Sequence, residues 1–137
     1  MLSLTHIHLK SPNPNTTAKW YVDMLGAEIV DESFPPKSRS HSVSIQLGDA
    51  RININTNAPG EHMPSGPVGP HMGLEHFGFH TDDLAPLLAK LEANNVEIIE
   101  AMRPTRNGFT SLVMGPDNVM IELGQHSHEY QQKWGRK

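Results

Sequence analysis

The chain has 137 residues, with 11 lysines and arginines against 15 aspartates and glutamates, nine histidines and no cysteine. This length predicts a single domain, and a net charge of −4 without a basic cluster argues against a nucleic-acid-binding surface. The absence of cysteine excludes disulfides, thiolate zinc sites and a cysteine nucleophile, so a transition metal would have to bind through imidazole and carboxylate groups.

The first predicted elements are a strand and a helix. Apolar and polar residues alternate over 6–10, which is typical of a strand with one buried face. A helix is predicted to begin near Asn15 or Thr16, both good N-cap residues, and to end at Gly26. A short strand over 27–30 and a loop follow, and then two strands joined by a tight turn at 48–49.

Residues 58–70 separate the first half of the chain from the second. Four prolines and three glycines in this segment rule out a helix or a central strand, so it is predicted to be a linker. Beyond it a strand is predicted first, and then a helix between the capping residues 81–83 and Asn94. Four leucines at helical spacing mark its buried side: Leu84, Leu87, Leu88 and Leu91. A strand over 96–99, a loop and two strands around a turn at 115–118 complete the order.

The two halves are copies of one unit. Four segments recur in the same order at offsets of 67 to 70 residues: 4–10 with 74–80, 26–31 with 95–100, 44–48 with 111–115, and 52–54 with 121–123. A repeat of this kind decides the fold, because each copy is one supersecondary unit. We therefore expect a single domain over 1–126, made of module one (1–57), the linker 58–70 and module two (71–126), followed by a carboxy-terminal tail (127–137).

Each unit has a histidine in its first strand, and the second unit has an acidic residue in its last strand. Two units of this kind resemble the vicinal-oxygen-chelate superfamily. This group includes glyoxalase I, methylmalonyl-CoA epimerase, extradiol dioxygenases, fosfomycin-resistance thiol transferases and bleomycin-binding proteins. The resemblance covers residues 2–124 and is most specific at three motifs: 5–7, 73–84 and 115–123. It implies an α+β fold of two βαβββ modules, whose curved mixed sheets form open half-barrels with the helices outside.

The resemblance also implies one divalent metal ion, whether Fe, Mn, Ni, Co or Zn, bound by His6, His76 and Glu122. These residues occupy equivalent strand positions of the two copies, opposite the apolar residues that would face the helices. Two imidazoles and a carboxylate leave open coordination sites for water or substrate. Asn53 matches Glu122 in the repeat but is a poor neutral ligand, so whether Asn53 touches the metal stays open.

Other polar residues are weaker candidates. Proton transfer is assigned to Glu122, or to His8 and His80, which share strand faces with His6 and His76. The alternative for His8 and His80 is that they are only polar residues at the mouth of a barrel. Asn55 could bind a substrate oxygen, as could Asn53, or it could merely end a strand. Four basic residues are placed in loops after the second strand of each copy, where they could clamp an anionic substrate or be solvated: Lys37, Arg39, Arg103 and Arg106.

The remaining histidines are predicted to be surface or tail residues: His41, His62, His71, His126 and His128. Residues 128–134 could form a short helix whose Tyr130 and Trp134 cover an edge or a dimer partner, or they could fray.

The leading functional hypothesis is a metal-dependent glyoxalase-like lyase or isomerase that chelates vicinal oxygens of a small substrate. The alternatives are an extradiol-type Fe(II) ring-cleaving dioxygenase, a fosfomycin-type thiol transferase and a non-enzymatic, ligand-sequestering protein like the bleomycin-resistance proteins. Without an apolar stretch of 18 residues or a signal peptide, we expect a cytoplasmic protein that does not bind membranes. A homodimer is predicted from the resemblance, and whether the modules pair within one chain or across two is open.

Overall fold

The computed structural model describes residues 1–34 and 40–134. The chain divides into two compact units, Met1–Ser65 and Gly66–Lys137. The division falls inside the proline-rich segment 58–70, which contains no helix or strand. None of the described helices is long and apolar enough to cross a membrane.

The first unit is a four-stranded sheet with one helix. Its strands lie in the order β1-β4-β3-β2, with β1 parallel to β4 and the other pairs antiparallel. Its elements are β1 (Ile7–Lys10), α1 (Pro14–Leu25), β2 (Glu28–Ser33), β3 (Ser42–Leu47) and β4 (Ala50–Asn55).

The second unit repeats this topology, with strand order β5-β8-β7-β6 and β5 parallel to β8. Its elements are β5 (His76–His80), α2 (Leu84–Ala93), β6 (Ile98–Thr105), β7 (Gly108–Met114) and β8 (Met120–His126), followed by α3 (His128–Trp134). The α+β class and the two βαβββ modules predicted from the sequence are therefore confirmed. Neither sheet of the described chain closes into a barrel.

Helix α1 begins earlier than predicted. Its N-cap is Asn13, whose side chain accepts a hydrogen bond from the backbone N–H of Thr16 at 3.1 Å. Pro14 is the first helical residue, where its fixed φ suits a helix and its missing N–H costs little. The predicted end is correct, because Gly26 adopts a left-handed conformation with φ of 76°.

The core of each unit lies between its helix and one face of its sheet. In the first unit, α1 packs on β3 and β4, and the fully buried side chains include Tyr21, Ile45 and Ile52. In the second unit, α2 packs on β6 and β8, where Leu84, Leu91 and Ile121 are fully buried, among others. Because strand residues alternate between faces, the opposite face of each sheet carries the polar candidates.

Strand β6 is longer than the strand predicted over 96–99. It runs to Thr105 with two register shifts, after Ile98 and after Glu100, and joins β7 by a two-residue turn at 106–107. The loop placement of Arg103 was wrong, because Arg103 lies inside β6 opposite Thr110. Arg106 lies in the turn as expected. Lys37 and Arg39 lie outside the described residues.

Candidate functional site

The first unit places its candidate residues on the polar face of β1 and β4. The parallel register sets His8 opposite Asn53 and Lys10 opposite Asn55. His6 lies one residue before β1, and its ring centroid is 6.5 Å from that of His8. Both imidazoles are exposed.

The two histidines of this face differ in their hydrogen bonds. His8 uses Nε2 to donate to the side-chain oxygen of Asn55. Nδ1 of His6 lies 3.0 Å from the hydroxyl of Thr5. If Nδ1 donates there, Nε2 of His6 carries the lone pair that a metal ion requires.

Asn53 is held by its neighbours. Its side-chain oxygen accepts hydrogen bonds from Oγ of Ser44 at 2.9 Å and from Nε of Arg51 at 3.2 Å. Two donors occupy both lone pairs of this amide oxygen. This arrangement favours a polar structural role for Asn53 over metal ligation.

Arg51 is a residue of this face that the sequence analysis missed. Two residues before Asn53 on β4, it shares the face of Asn53 and also lies 3.4 Å, through its guanidinium, from Oγ of Ser44. The alternation that paired Asn53 with Asn55 could have identified Arg51 as well.

The second unit brings two predicted ligands together on β5 and β8. Gly78 lies opposite Glu122 and His76 opposite Met120, so His76 and Glu122 share a face and are diagonal neighbours. Nε2 of His76 lies 3.8 Å from Oε2 of Glu122, and both side chains are about one-third exposed. A Cβ at Gly78 would lie 3.4 Å from that of Glu122, so glycine keeps this position open beside the carboxylate.

Glu75 orients the ring of His76. Its carboxylate accepts a hydrogen bond from Nδ1 of His76 at 3.0 Å, which leaves the lone pair on Nε2, the atom facing Glu122. Metal-bound histidines commonly donate their second ring nitrogen to a carboxylate in this way. Glu75 corresponds in the repeat to Thr5, so in both copies the residue before the histidine binds Nδ1. This adjacency was a signal that the sequence analysis did not use.

His126 belongs to the site face, not to the tail. β8 extends to His126, which shares the face of Glu122, and its ring stacks on His80 at 5.5 Å and on Tyr130 of α3 at 4.7 Å. Burial lowers the pKa of the His126 imidazole, nearby His80 lowers this pKa further, and the carboxylate of Glu122 partly opposes them. Continuing the alternation of β8 beyond Leu123 could have found this residue.

The other predicted residues are more scattered. His80 shares the face of His76 and contacts Asp82 at 3.2 Å. Arg103 is paired with Glu100 at 3.3 Å, and Arg106 is exposed at the hairpin turn. Of the histidines expected at the surface, His62 is exposed, whereas His41 binds Glu32 at 3.0 Å. Within residues 1–34 and 40–134, no three His, Asp or Glu side chains converge into a complete metal site.

A family model for the glyoxalase, bleomycin resistance protein and dioxygenase superfamily matches residues 3–123 of the chain. The chain belongs to this superfamily. The resemblance inferred from the repeat and its motifs is therefore confirmed over nearly the same range.

Two matched proteins are similar to the chain at low sequence identity. Glyoxalase I of Saccharomyces cerevisiae is 24% identical over 96% of this chain and 47% of its own length, so the chain spans about half of that relative. A glyoxalase family protein from Enterococcus faecalis is 23% identical, with a TM-score of 0.69 over 89% of this chain and 96% of that one.

A third relative was solved with ligands. A mutant of the fosfomycin resistance protein FosX from Listeria monocytogenes, complexed with Mn(II) and 1S,2S-dihydroxypropylphosphonic acid, has a TM-score of 0.71 and 21% identity. The match covers 96% of this chain and 98% of that one. At these identities the structural matches establish a shared fold.

Proposed function

We propose that this superfamily member is a metal-dependent enzyme of the glyoxalase type, a lyase or isomerase. Two vicinal oxygens of a small substrate would chelate its metal ion. The observation that carries the proposal is the pair formed by His76 and Glu122. Their donor atoms lie 3.8 Å apart, and both side chains are about one-third exposed.

The geometry of this pair suits a cation better than a proton. A distance of 3.8 Å is too long for a hydrogen bond between Nε2 and Oε2. Two donors at about 2.0–2.2 Å from a tetrahedral ion are roughly 3.4 Å apart, so a small side-chain rotation would bring both within bonding distance. Because Glu75 accepts the proton of Nδ1, Nε2 of His76 has its lone pair available.

His6 is proposed as the third ligand, supplied either by the same chain or by a second copy. With the amide oxygen of Asn53 engaged by Ser44 and Arg51, the proposed set contains two imidazoles and one carboxylate. Such a set suits Fe, Mn, Ni, Co or Zn and leaves coordination sites for a substrate. When bound, the ion supplies Lewis-acid stabilisation of a substrate oxyanion.

The remaining candidates are proposed to bind substrate and to move protons. Asn53 and Asn55 offer amide groups on the polar face of the first sheet, and Arg103 and Arg106 offer positive charge for an anionic substrate. Of the proton carriers predicted from the sequence, Glu122 and His8 are retained, whereas both ring nitrogens of His80 are engaged, with the backbone of His126 and with Asp82. Among them, the ring of His8 is already hydrogen-bonded to Asn55, which fixes its orientation.

An extradiol-type Fe(II) dioxygenase is the second candidate. It is favoured by the hydrogen bonds that occupy Asn53, because they leave a set of two histidines and one carboxylate, typical of non-haem Fe(II) oxygenases. A fosfomycin-type thiol transferase and a ligand-sequestering protein are further alternatives, and the metal-reconstitution experiment described next distinguishes them as well.

Reconstitution with single metals distinguishes these activities. Chelator-treated protein is loaded separately with Ni, Co, Zn, Mn or Fe(II) and assayed with the hemithioacetal of methylglyoxal and glutathione, with a catechol under O2, and with an epoxide plus a thiol. We expect turnover of the hemithioacetal with Ni, Co or Zn. O2 uptake on the catechol, thiol addition to the epoxide, or tight binding of an apolar ligand without metal would each overturn the glyoxalase-type proposal.

A further inference from the structure

Two imidazoles lie side by side at the far end of the polar face of the second sheet. His80 ends β5 and His126 ends β8, and each is four residues beyond a proposed metal ligand on its own strand. They therefore share a face with His76 and Glu122.

The hydrogen bonds determine which nitrogen of His80 carries a proton. The backbone N–H of His126 donates to Nδ1 of His80 at 3.3 Å, so Nδ1 must be the unprotonated nitrogen. Nε2 of His80 then carries the hydrogen and donates to the carboxylate of Asp82 at 3.2 Å. Both nitrogens of His80 are thereby engaged with protein groups.

The same contact favours one tautomer of His126. Its Nδ1 lies 3.4 Å from Nδ1 of His80, whose one lone pair is then shared with the backbone N–H of His126, and this sharing makes Nδ1 of His126 the donor that we infer. Nε2 of His126 is consequently left as the basic nitrogen. Among the described residues no hydrogen bond involves this atom, and the ring is held from its two faces by His80 and Tyr130.

Gly124 leaves room for this ring on the site face. A Cβ at Gly124 would lie 2.4 Å from Cε1 and 2.8 Å from Nε2 of His126. The edge of the ring that bears Nε2 therefore lies over Gly124, which separates His126 from Glu122 along β8. Only glycine permits this placement without moving the ring.

We propose that His126 is a catalytic acid–base residue of this face, exchanging a proton with the substrate through Nε2, and that His80 is a positioning residue that fixes its tautomer. The inference rests on the proposed function, which supplies the substrate. In the step, Nε2 takes a proton from the substrate carbon that bears a hydroxyl, the electron pair of the broken C–H bond forms a carbon–carbon double bond, and the carbonyl electron pair passes to the carbonyl oxygen. The same proton returns to the former carbonyl carbon while the hydroxyl proton moves to the other substrate oxygen, so the isomerisation needs no oxidant or reductant.

The surroundings of His126 match this role. The titratable groups around it are Glu122 on its own strand, His80 and Asp82 at the end of β5, and Tyr130 on α3. The lowered pKa keeps the imidazole of His126 unprotonated near neutral pH, so the ring can accept a proton from the substrate.

Long-range 1H–15N NMR of the metal-free protein tests the geometry. We expect His126 in the Nδ1–H form and His80 in the Nε2–H form, with His126 titrating below the ordinary value of about 6.5. An Nε2–H tautomer of His126 would overturn the inference whatever the reaction proves to be.

Kinetics of the metal-loaded enzyme test the role. We expect H126Q to lower kcat roughly 10²–10⁴-fold with unchanged metal content and to remove the acidic limb of the pH–rate profile. The exposed neighbour His128 provides the matched control, H128Q, which should behave as wild type. G124A, whose Cβ would displace the ring of His126, should lower kcat in the same way without changing any titratable group. Agreement between the two variants would show that the loss in H126Q is not caused by misfolding.

The positioning role of His80 has its own readout. H80F keeps an aromatic ring but removes the hydrogen-bond acceptor, so we expect kcat to fall with KM unchanged and both neutral tautomers of His126 to be populated. H80Q offers an acceptor oxygen and should restore part of kcat. Full activity of H126Q, or loss of its metal, would overturn the inference. A wild-type protein that binds no metal and turns over no substrate would instead overturn the proposed function.

Discussion

The residue before each candidate ligand histidine contacts Nδ1 of that histidine. Thr5 contacts Nδ1 of His6 and Glu75 contacts Nδ1 of His76, each at 3.0 Å. The carboxylate of Glu75 only accepts, so it fixes the tautomer of His76, whereas the hydroxyl of Thr5 can donate or accept and orients the ring of His6 without fixing its tautomer. The two copies of the module thus use the same local device with different chemical groups.

Removing the charge of Glu75 should weaken metal binding without abolishing it. Because the carboxylate orients His76 and raises its basicity, we expect Glu75→Gln to lower metal affinity about 10–100-fold in a chelator-competition titration. Glu97→Gln, at an exposed position of the same unit, is the control and should leave affinity unchanged. Equal affinities of Glu75→Gln and wild type would show that Glu75 does not support the site.

His71 makes stability depend on pH at the end of the linker. Both ring nitrogens contact backbone carbonyls, Nδ1 with Gly69 and Nε2 with Leu74, each at 2.9 Å. Because carbonyl oxygens only accept hydrogen bonds, both ring nitrogens must carry a hydrogen, as in the protonated imidazole. The carbonyl of Gly69 raises the pKa of His71 above 6.5 most, and the carbonyl of Leu74 raises this pKa further.

The stabilisation from His71 is therefore present in full below the unfolded pKa and is lost as the pH rises through the folded one. We expect His71→Gln to lower the free energy of unfolding at pH 5 and to have little effect at pH 8.5, measured by denaturant titration. An effect that is equal at both pH values would contradict this account.

At the scale of elements, the two module helices have different N-caps. Asn13 accepts a hydrogen bond from the backbone of Thr16 at the start of α1, whereas Asp83 at the start of α2 makes no side-chain capping bond. We expect Asn13→Ala to lower the free energy of unfolding by about 1 kcal/mol and Asp83→Ala by clearly less, in denaturant titrations. A larger loss from Asp83→Ala would overturn the distinction.

Local signals predicted the helices better than the strand ends. The leucine spacing of α2 and the glycine that ends α1 are read from a few neighbouring residues. The start of α1 was placed too late because Asn13, Asn15 and Thr16 are all acceptable caps, and the choice depends on Pro14 as the first helical residue. No single-residue preference distinguishes these starts.

Strand extents depend on partners that are distant in sequence. β6 continues to Thr105 because its pairing with β7 resumes after each register shift, which the sequence of β6 alone does not indicate. This extension moved Arg103 from a loop into a strand. His126 was missed for a related reason, since the last matching segment of the repeat ends at residue 123, whereas β8 continues to His126, which pairs with Gly108.

At the scale of the whole molecule, the repeat predicted the topology of both units. The register of β1 with β4 places Ile7 opposite Ile52, and that of β5 with β8 places Phe77 opposite Ile121, in agreement with the sequence offsets. The faces that carry His6, His76 and Glu122 could therefore be predicted. The adjacency of Glu75 and His76 is visible in the sequence, but which ring nitrogen the carboxylate contacts depends on side-chain conformation and is seen only in the structure.

A homodimer is expected in solution. Several apolar side chains are exposed on strands of the two units: Ile29, Val30, Met102 and Phe109. Exposed apolar surface of this kind favours burial against a second copy. Light scattering on the purified protein should give twice the chain mass of 15.2 kDa. A mass of one chain across the micromolar range would contradict the prediction.

Metal content tests the central claim most directly. After saturation with a divalent ion and removal of the excess, elemental analysis of the wild-type protein should find one ion per chain. His76→Ala and Glu122→Ala should each lose most of it, because each removes one of the two donors that face each other at 3.8 Å. His62→Ala, which changes an exposed linker histidine, should retain it. Metal content of His76→Ala equal to that of the wild type would contradict the account.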